Sequence, residues 1–287
     1  MRKHVIVPDI QAKPGAPLNH CEWIGKHIAD SKPDVLVNLG DHCDVTSLSS
    51  YDRGKLDFEG RRFSQDIAAS DMANRLLFKE VKRRKKKRTF ESHILIGNHE
   101  HRIARFVQDN PEMNGFMSVD SLRYHKFYDE VHPFLEPVVI DGITYAHYFY
   151  NPLSGRPWGG MLPTRLKNIG FTFTMGHQQG INYFTRTLNN GQRQHALVAG
   201  SCYLHDEKYL GPQAEDHWNG IVEKNNVSAD GDYDINIISL ETLCQRYENM
   251  YLREFLSQPK RWYIVQEKCC QRQAKVNRRG RRPIAPR

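Results

Sequence analysis

Ile94-Leu95-Ile96-Gly97-Asn98-His99-Glu100 is the stretch that decides the fold, because an apolar run passes directly into a glycine, an amide and an imidazole. Asn98 offers an uncharged carbonyl oxygen, which suits a hard divalent cation that already has carboxylates around it. His99 follows one residue later, so the two side chains diverge, and one can bind metal while the other faces substrate. The combination indicates a metal site at a strand end, although Gly-Asn is also a common turn pair.

Four other apolar runs end in residue types that can bind metals. Two of them end in carboxylates and two in imidazoles, and the residues concerned are Asp9, Asp41, His147 and His177. Each predicted strand places its polar residue at the same rim of the fold. Strands that end in Asp, Asp, Asn, His and His, in that order, form a set that random sequence rarely produces.

This order resembles the calcineurin-like metallophosphoesterase superfamily, whose pattern is D-x-H, GD-x-x-D, GNHE, a lone His and GH-x-H. The resemblance spans residues 9–179. Within the superfamily, the arrangement of motifs is similar to that of the stand-alone bacterial and bacteriophage members often likened to DNA-repair exonucleases. It implies an α/β fold built as a two-sheet β-sandwich flanked by helices, in four layers, αββα.

The resemblance also implies a centre of two divalent cations that share the Asp41 carboxylate. The ligands implied for the first ion are Asp9, Gln11, Asp41 and Gln179. The ligands implied for the second ion are Asp41, Asn98, His147 and His177. His99 matches the catalytic histidine of the family, and Asp44 matches the acid that orients it.

Gln11 and Gln179 stand where the family has histidine, and both changes fall on the first ion. Amide oxygens are harder ligands than imidazole nitrogens, so this site should favour Mn²⁺, or Mg²⁺, over Zn²⁺ or iron and should bind more weakly. Glutamine can still bind a cation. The paired change therefore indicates an altered site rather than a lost one.

Two cations about 3.5–4 Å apart would lower the pKa of a shared water and neutralise a phosphoryl group, which makes the water the nucleophile. His99, oriented by Asp44, would donate a proton to the leaving oxygen or stabilise its charge. The alternative for His99 is a capping or core histidine.

Charge divides the chain into a near-neutral domain and a basic tail. Residues 259–287 contain ten Lys or Arg and one Glu, whereas the whole chain carries a formal charge of +8. We therefore predict one catalytic domain over residues 1–258, with candidate cap segments at 110–136 and 151–163, and a disordered tail. The tail residues predicted to bind nucleic acid are Arg278, Arg279, Arg281 and Arg282. The alternative is a tail that only aids solubility.

Hydrophobic patterning predicts the positions of strands and helices. The predicted strands are 3–8, 35–39, 90–96, 137–147, 171–176, 181–187, 194–200 and 234–240. The predicted helices are 18–30, 60–88 and 99–109. Asn189-Asn190-Gly191 predicts a hairpin. The longest apolar runs are too short for a transmembrane helix or a signal-peptide core, and the six cysteines form no C-x-x-C pair, so we expect a cytoplasmic protein with free thiols.

The predicted function is metal-dependent hydrolysis of phosphodiesters, with nucleic acid as the expected substrate. Val45-Thr46 follow Asp44 where protein phosphatases of this type carry Arg-Gly, which argues against that branch. Two alternatives remain open. One is a hydrolase of nucleotides or other small phosphate esters, and the other is a nucleic-acid-binding protein with a degenerate metal site.

Overall fold

A computed structural model describes residues 1–84, 89–205 and 217–265. The strands in these ranges are β1 (Arg2–Val7), β2 (Val35–Asn38), β3 (Glu91–Leu95), β4 (Glu130–His132), β5 (Val138–Ile140), β6 (Ile143–Ala146), β7 (Phe173–Met175), β8 (Ile181–Thr187), β9 (Arg193–Ala199), β10 (Gly220–Val227) and β11 (Asp234–Ser239). The α-helices are α1 (Asn19–Ser31), α2 (Phe63–Arg84), α3 (His101–Asp109), α4 (Leu162–Ile169), α5 (Leu240–Glu248) and α6 (Leu252–Leu256).

The strands form two sheets. The first has the order β11-β10-β1-β2-β3-β4, in which β1 to β4 run parallel and β10 lies antiparallel to both β1 and β11. The second has the order β5-β6-β7-β9-β8, in which β6, β7 and β9 run parallel. Because β1, β2 and β3 are parallel, the residues that follow them meet at one edge of the sheet.

Alternation along β1 shows how the layers are packed. Val5 and Val7 belong to the apolar core between the first sheet and the helices, whereas Ile6 points the other way into the core between the two sheets. Trp23 of α1 lies in the helix-side core, and Leu166 of α4 packs on the far face of the second sheet. The predicted four-layer αββα sandwich is therefore confirmed.

Several predicted elements are confirmed, and one is divided. Strand β8 has the predicted bounds 181–187, and the predicted hairpin joins it to β9. The predicted strand 137–147 is two strands, because Asp141 and Gly142 both have positive φ and form a turn between β5 and β6. An Asp-Gly pair suits the two-residue hairpin turn in which both central residues have positive φ.

Strand β10 and helices α4, α5 and α6 were not predicted. The polar run from Glu223 to Asn226 lacks apolar alternation, yet Glu223 and Lys224 are buried within β10. Residue 240, predicted to be in a strand, begins α5, where the Ser239 side chain accepts a hydrogen bond from the Thr242 backbone N–H. This N-cap was a readable signal for the helix start.

Residues 110–136 pack as part of the folded domain, and their role as a cap over the site stays a prediction. They add β4 to the edge of the first sheet and bury Leu122, Tyr124 and Phe127 in the helix-side core. Aromatic residues in this segment are needed for packing. The second candidate cap, residues 151–163, leads into α4, and its position over the site stays a prediction.

The folded domain extends past the predicted boundary at residue 258. The backbone N–H of Leu18 donates to the carbonyl of Tyr263 at 2.9 Å, and that of Gly15 donates to the carbonyl of Val265 at 3.2 Å. Residues 259–265 therefore pack on the start of α1 and are not part of a disordered tail. Every helix within the described ranges is too short or too polar to span a lipid bilayer.

Candidate metal centre

The residues predicted to bind metal lie just beyond parallel strands of both sheets. Asp9, Asp41 and Asn98 follow β1, β2 and β3, whereas His147 and His177 follow β6 and β7. The carboxyl ends of parallel strands meet at one edge, where ligands are bound in many open α/β sheets. The two sheets therefore contribute to a single site.

Tight turns direct these side chains into the site. Gln11, Asp41 and His177 have φ angles of 46°, 46° and 65°, in the left-handed region that side chains other than glycine rarely adopt. Residues held in such conformations cluster at functional sites. A Cβ atom at Gly97 would lie 2.1 Å from Asp41 Oδ1, so only glycine allows this carboxylate to approach the turn after β3.

Asp41, Asn98, His147 and His177 converge on one point. Atoms of Asp41, His147 and His177 that can bind a metal all lie within 4.8 Å of one another. Asn98 Oδ1 is 2.9 Å from His147 Nε2 and 2.7 Å from His177 Nδ1. The structure thus brings together all the ligands predicted for the second ion.

The chemistry of this donor set fits a divalent cation. His147 Nδ1 lies 2.9 Å from the carbonyl of Leu39 and donates to it, so its Nε2 faces Asn98 and Asp41. A ring nitrogen fixed by a backbone carbonyl is the usual arrangement of a metal-binding histidine. The pKa of His147 is raised to about 9, since the Asp41 carboxylate outweighs the opposing effect of burial. The site therefore attracts positive charge.

Asp41 carries the negative charge of the cluster. Burial alone would raise its pKa, but the imidazoles of His147 and His99 outweigh burial and hold it well below the ordinary value. His177 behaves in the opposite way, because burial and the neighbouring His147 lower its pKa to about 4. A neutral His177 and an ionised Asp41 are the forms that bind a metal ion.

The ligands predicted for the first ion meet less completely. Asp9 is fully buried, its Oδ1 accepts from the backbone N–H of His177 at 3.2 Å, and its Oδ2 has no hydrogen-bond partner among the described residues. Burial, and then the charge of Asp41, raise the pKa of Asp9. A buried carboxylate oxygen without a donor fits a bound cation. Gln11 is also buried and donates its backbone N–H to the carbonyl of Asp41 at 2.8 Å.

Gln179 has a different environment. Its side-chain oxygen accepts a hydrogen bond from the hydroxyl of Tyr203 at 2.6 Å. The oxygen that would bind the first ion is thus engaged with another side chain. On these observations, Asp9 fits a cation, whereas the Gln179 oxygen is directed at Tyr203 and keeps a single free lone pair.

His99 stands beside the cluster with its predicted acid. Its Nδ1 lies 2.9 Å from Asp44 Oδ1, and its Nε2 lies 3.7 Å from Asp41 Oδ2. Burial opposes protonation, but Asp41 and Asp44 together raise the pKa of His99. The Asp44 pKa is held below its usual range despite burial, because His99, Lys13 and Arg102 surround it with positive charge. This arrangement can supply a proton near the metal ligands.

Glu100 was quoted in the deciding stretch but received no role. It is fully buried, and its Oε2 accepts from the backbone N–H groups of Asp41 and Gly97, both at 3.0 Å. Its Oε1 accepts from the N–H of Cys43 and the hydroxyl of Tyr124. Glu100 therefore fixes the turns that carry Asp41 and Asn98. A carboxylate directly after Asn-His was the available signal.

The tail residues predicted to bind nucleic acid, Arg278, Arg279, Arg281 and Arg282, lie outside the described residues. Their role stays a prediction. The cysteines within the described ranges, Cys21, Cys43, Cys202 and Cys244, are free and buried, as expected of structural thiols.

Comparison with solved structures gives distant similarities. The chain is similar to YfcE, a phosphoesterase from E. coli, with 13% identity and a TM-score of 0.36 over 83% of this chain and 100% of that one. It is also similar to TT1561 of Thermus thermophilus, with 9% identity and a TM-score of 0.33 over 83% of this chain and 99% of that one. No protein-family profile and no curated protein matches the sequence. The site's own geometry must therefore carry any conclusion about function.

Proposed function

We propose that the protein is a metal-dependent phosphoesterase that hydrolyses phosphodiester bonds, with nucleic acid as its substrate. The observation that carries this proposal is the convergence of Asp41, Asn98, His147 and His177 beside the His99–Asp44 pair. Candidate ligands for a cation and a partly buried imidazole with a raised pKa then lie on one side of the same rim. The proposed family is the calcineurin-like metallophosphoesterases, of the stand-alone bacterial or phage type.

Divalent cations bound here, Mn²⁺ in preference to Mg²⁺, would activate a water molecule as the nucleophile and neutralise charge on the phosphoryl oxygens. The tighter ion would be held by Asp41, Asn98, His147 and His177. The weaker ion would be centred on Asp9, Gln11 and Asp41. Both sets mix oxygen donors with at most two imidazoles, which favours Mn²⁺ over softer metals.

The protein's own groups then assist the departure of the leaving oxygen. His99 can donate the proton from Nε2, since Asp44 and Asp41 favour its protonated form. Asp44 lies against Nδ1 of the ring at 2.9 Å, and Arg102 in turn donates to the backbone carbonyl of Asp44 at 2.7 Å.

A substrate panel with Mn²⁺ tests the proposal. We expect hydrolysis of a chromogenic diester and of single-stranded or duplex DNA, and much slower hydrolysis of a monoester. Turnover of nucleotides or small esters alone would favour the small-ester alternative. Binding of DNA without turnover of any phosphoester, together with fewer than one bound Mn²⁺ per chain, would favour a binding protein with a degenerate metal site.

A truncation tests separately whether the domain hydrolyses phosphodiesters and whether the tail binds nucleic acid. A chain ending at residue 265 keeps the backbone contacts of Tyr263 and Val265 but lacks Arg278, Arg279, Arg281 and Arg282. If the tail binds nucleic acid, the truncated chain should turn over a small diester normally and bind DNA with a shallower dependence on salt.

A further inference from the structure

A hydrogen-bonded chain of three side chains lies next to the metal centre. Tyr203 follows β9 through a turn in which Cys202 donates its backbone N–H to the carbonyl of Asp9 at 3.0 Å. The Tyr203 hydroxyl contacts the side-chain oxygen of Gln179 at 2.6 Å and Nδ1 of His217 at 2.8 Å. Tyr203 itself is buried. The chain thus links the turn beside Asp9 to the predicted ligand Gln179.

The available hydrogens fix the direction of this chain. A tyrosine hydroxyl has one hydrogen, and an amide oxygen can only accept. Tyr203 must therefore donate to Gln179, and His217 must donate from Nδ1 to Tyr203. The distance of 2.6 Å also suits an O–H···O bond, because N–H···O bonds are usually longer. This short distance orients the amide with its oxygen toward Tyr203.

The orientation leaves the donor end of Gln179 available. Its side-chain nitrogen carries two N–H groups, and within the described ranges neither has a hydrogen-bond partner. The side chain is half-buried and lies two residues after His177, whose Nδ1 belongs to the metal cluster. An N–H group cannot bind a cation, but it can bind an anionic oxygen.

We propose that Gln179 is a hydrogen-bond donor to a phosphoryl oxygen of the substrate and not a metal ligand, with Tyr203 and His217 as its positioning residues. This inference rests on the proposed phosphoester substrate. A neutral donor held in place by other side chains stabilises the charge that develops on such an oxygen in the transition state. The substitution of histidine by glutamine then exchanges a metal contact for a substrate contact.

Gln11 provides the matched control, because the resemblance implies that Gln11 and Gln179 are both ligands of the first ion. The side chain of Gln11 is not part of the Tyr203 chain, and its residue lies against Asp41 through the backbone. If only Gln11 is a ligand, the two glutamines should respond differently to the same truncation. Gln11→Ala should weaken binding of Mn²⁺, whereas Gln179→Ala should not.

The experiment measures Mn²⁺ binding by titration calorimetry and, separately, the binding of inorganic phosphate to the Mn²⁺-saturated protein. For Gln179→Ala we expect unchanged Mn²⁺ stoichiometry and affinity, and phosphate affinity reduced by about 10-fold or more, since a hydrogen bond to a charged group is lost. Tyr203→Phe keeps the ring and frees the amide, so it should weaken phosphate binding by a smaller factor. Thermal unfolding of each variant checks that the fold is retained.

Weaker Mn²⁺ binding by Gln179→Ala, of the kind expected for Gln11→Ala, would overturn the proposal and make Gln179 a ligand. Unchanged phosphate affinity in Gln179→Ala would overturn it as well, and so would a wild-type protein that binds Mn²⁺ but no phosphate. Phosphate and Mn²⁺ binding decide the role of Gln179 even if the wild-type protein hydrolyses no phosphoester. Failure of the proposed function is therefore distinguishable from failure of this inference.

Discussion

Two histidine–acid pairs in this protein have almost the same N···O distance and different surroundings. His99 Nδ1 lies 2.9 Å from Asp44 at the rim, and His27 Nε2 lies 3.0 Å from Glu223 between α1 and β10. The second nitrogen of His99 faces the Asp41 carboxylate at 3.7 Å. The second nitrogen of His27 accepts from Arg246 of α5 at 3.0 Å.

The difference shows that a histidine–acid contact does not by itself indicate catalysis. Asn236 of β11 donates to the other oxygen of Glu223 at 3.1 Å, so every polar side-chain atom of the His27 pair has a partner within the fold. The His99 pair is next to the predicted metal ligands, which include Asp9. Oδ2 of Asp9 is buried and has no hydrogen-bond partner among the described residues. What the second nitrogen faces separates the pair proposed to be catalytic from the structural pair.

The largest effect is expected at Asp41, which lies next to both the imidazole cluster and His99. Asp41→Asn removes the charge that both predicted ions share, so we expect activity to be abolished and Mn²⁺ content to fall sharply. Metal analysis by mass spectrometry and turnover of a chromogenic diester measure the two effects. Gln11→Ala is the control, with a smaller loss of metal. Equal metal content and activity in the two variants would mean that Asp41 is not shared.

The next largest effect directly compares the two pairs. His99→Ala should reduce the rate by roughly 10²–10⁴-fold, the usual contribution of a general acid, and should retain bound Mn²⁺. His27→Ala should leave the rate per folded molecule unchanged and lower the free energy of unfolding by about 1–3 kcal/mol, because it leaves Oε1 of Glu223 without its donor. Loss of metal in His99→Ala would contradict its assignment as a group that does not bind metal.

The sequence predicted the rim of the site better than its supports. Asp41, Asn98, His147 and His177 were predictable because each follows an apolar strand, and parallel strands bring such residues together. Glu100 was missed because its role depends on backbone N–H groups from two turns, which no side-chain pattern encodes. The environment of Gln179 was missed for a similar reason, since Tyr203 approaches it only in the folded chain.

The fold shows the same division. Strands with apolar runs were predicted, whereas β10 was missed because buried Glu223 and Lys224 give it a polar sequence. Lys224 donates to the hydroxyls of Thr174 and Tyr145 and lies over the rings of Tyr145 and Tyr233. Burial strongly lowers the pKa of Lys224, because the charged form loses its hydration. A buried polar strand needs partners from distant sequence, which local patterning cannot reveal.

A smaller effect concerns the two proposed ions. The site centred on Asp9 and Gln11 has no imidazole, so it should lose metal first on dialysis, while the site with His147 and His177 stays filled. Activity should then rise with added Mn²⁺ over a range in which the tighter site is already saturated. Gln11→His should tighten the weaker site and broaden its metal choice toward Zn²⁺. A single ion that accounts for full activity would remove the weaker site from the proposal.

The smallest effect on the reaction is expected at the structural pair, where the change should appear only in stability. The hydrogen bond from His27 lowers the pKa of Glu223 from 4.5 to about 2, and further hydrogen bonding by Asn236 adds to it against the opposing effect of burial. A carboxylate whose folded pKa is depressed stabilises the fold above its unfolded pKa and loses that contribution as pH falls through the folded value.

Glu223→Gln should therefore be less stable than the wild type by about 2 kcal/mol at pH 7. The difference should shrink as pH falls from about 4.5 toward about 2, the interval between the two pKa values. Urea unfolding of both proteins at several pH values measures it, and acid-sensitive groups at the metal centre cancel because both proteins contain them. A difference that stays constant across that whole interval would show that ionisation of Glu223 does not stabilise the fold, and the assignment of this pair as structural would then be wrong.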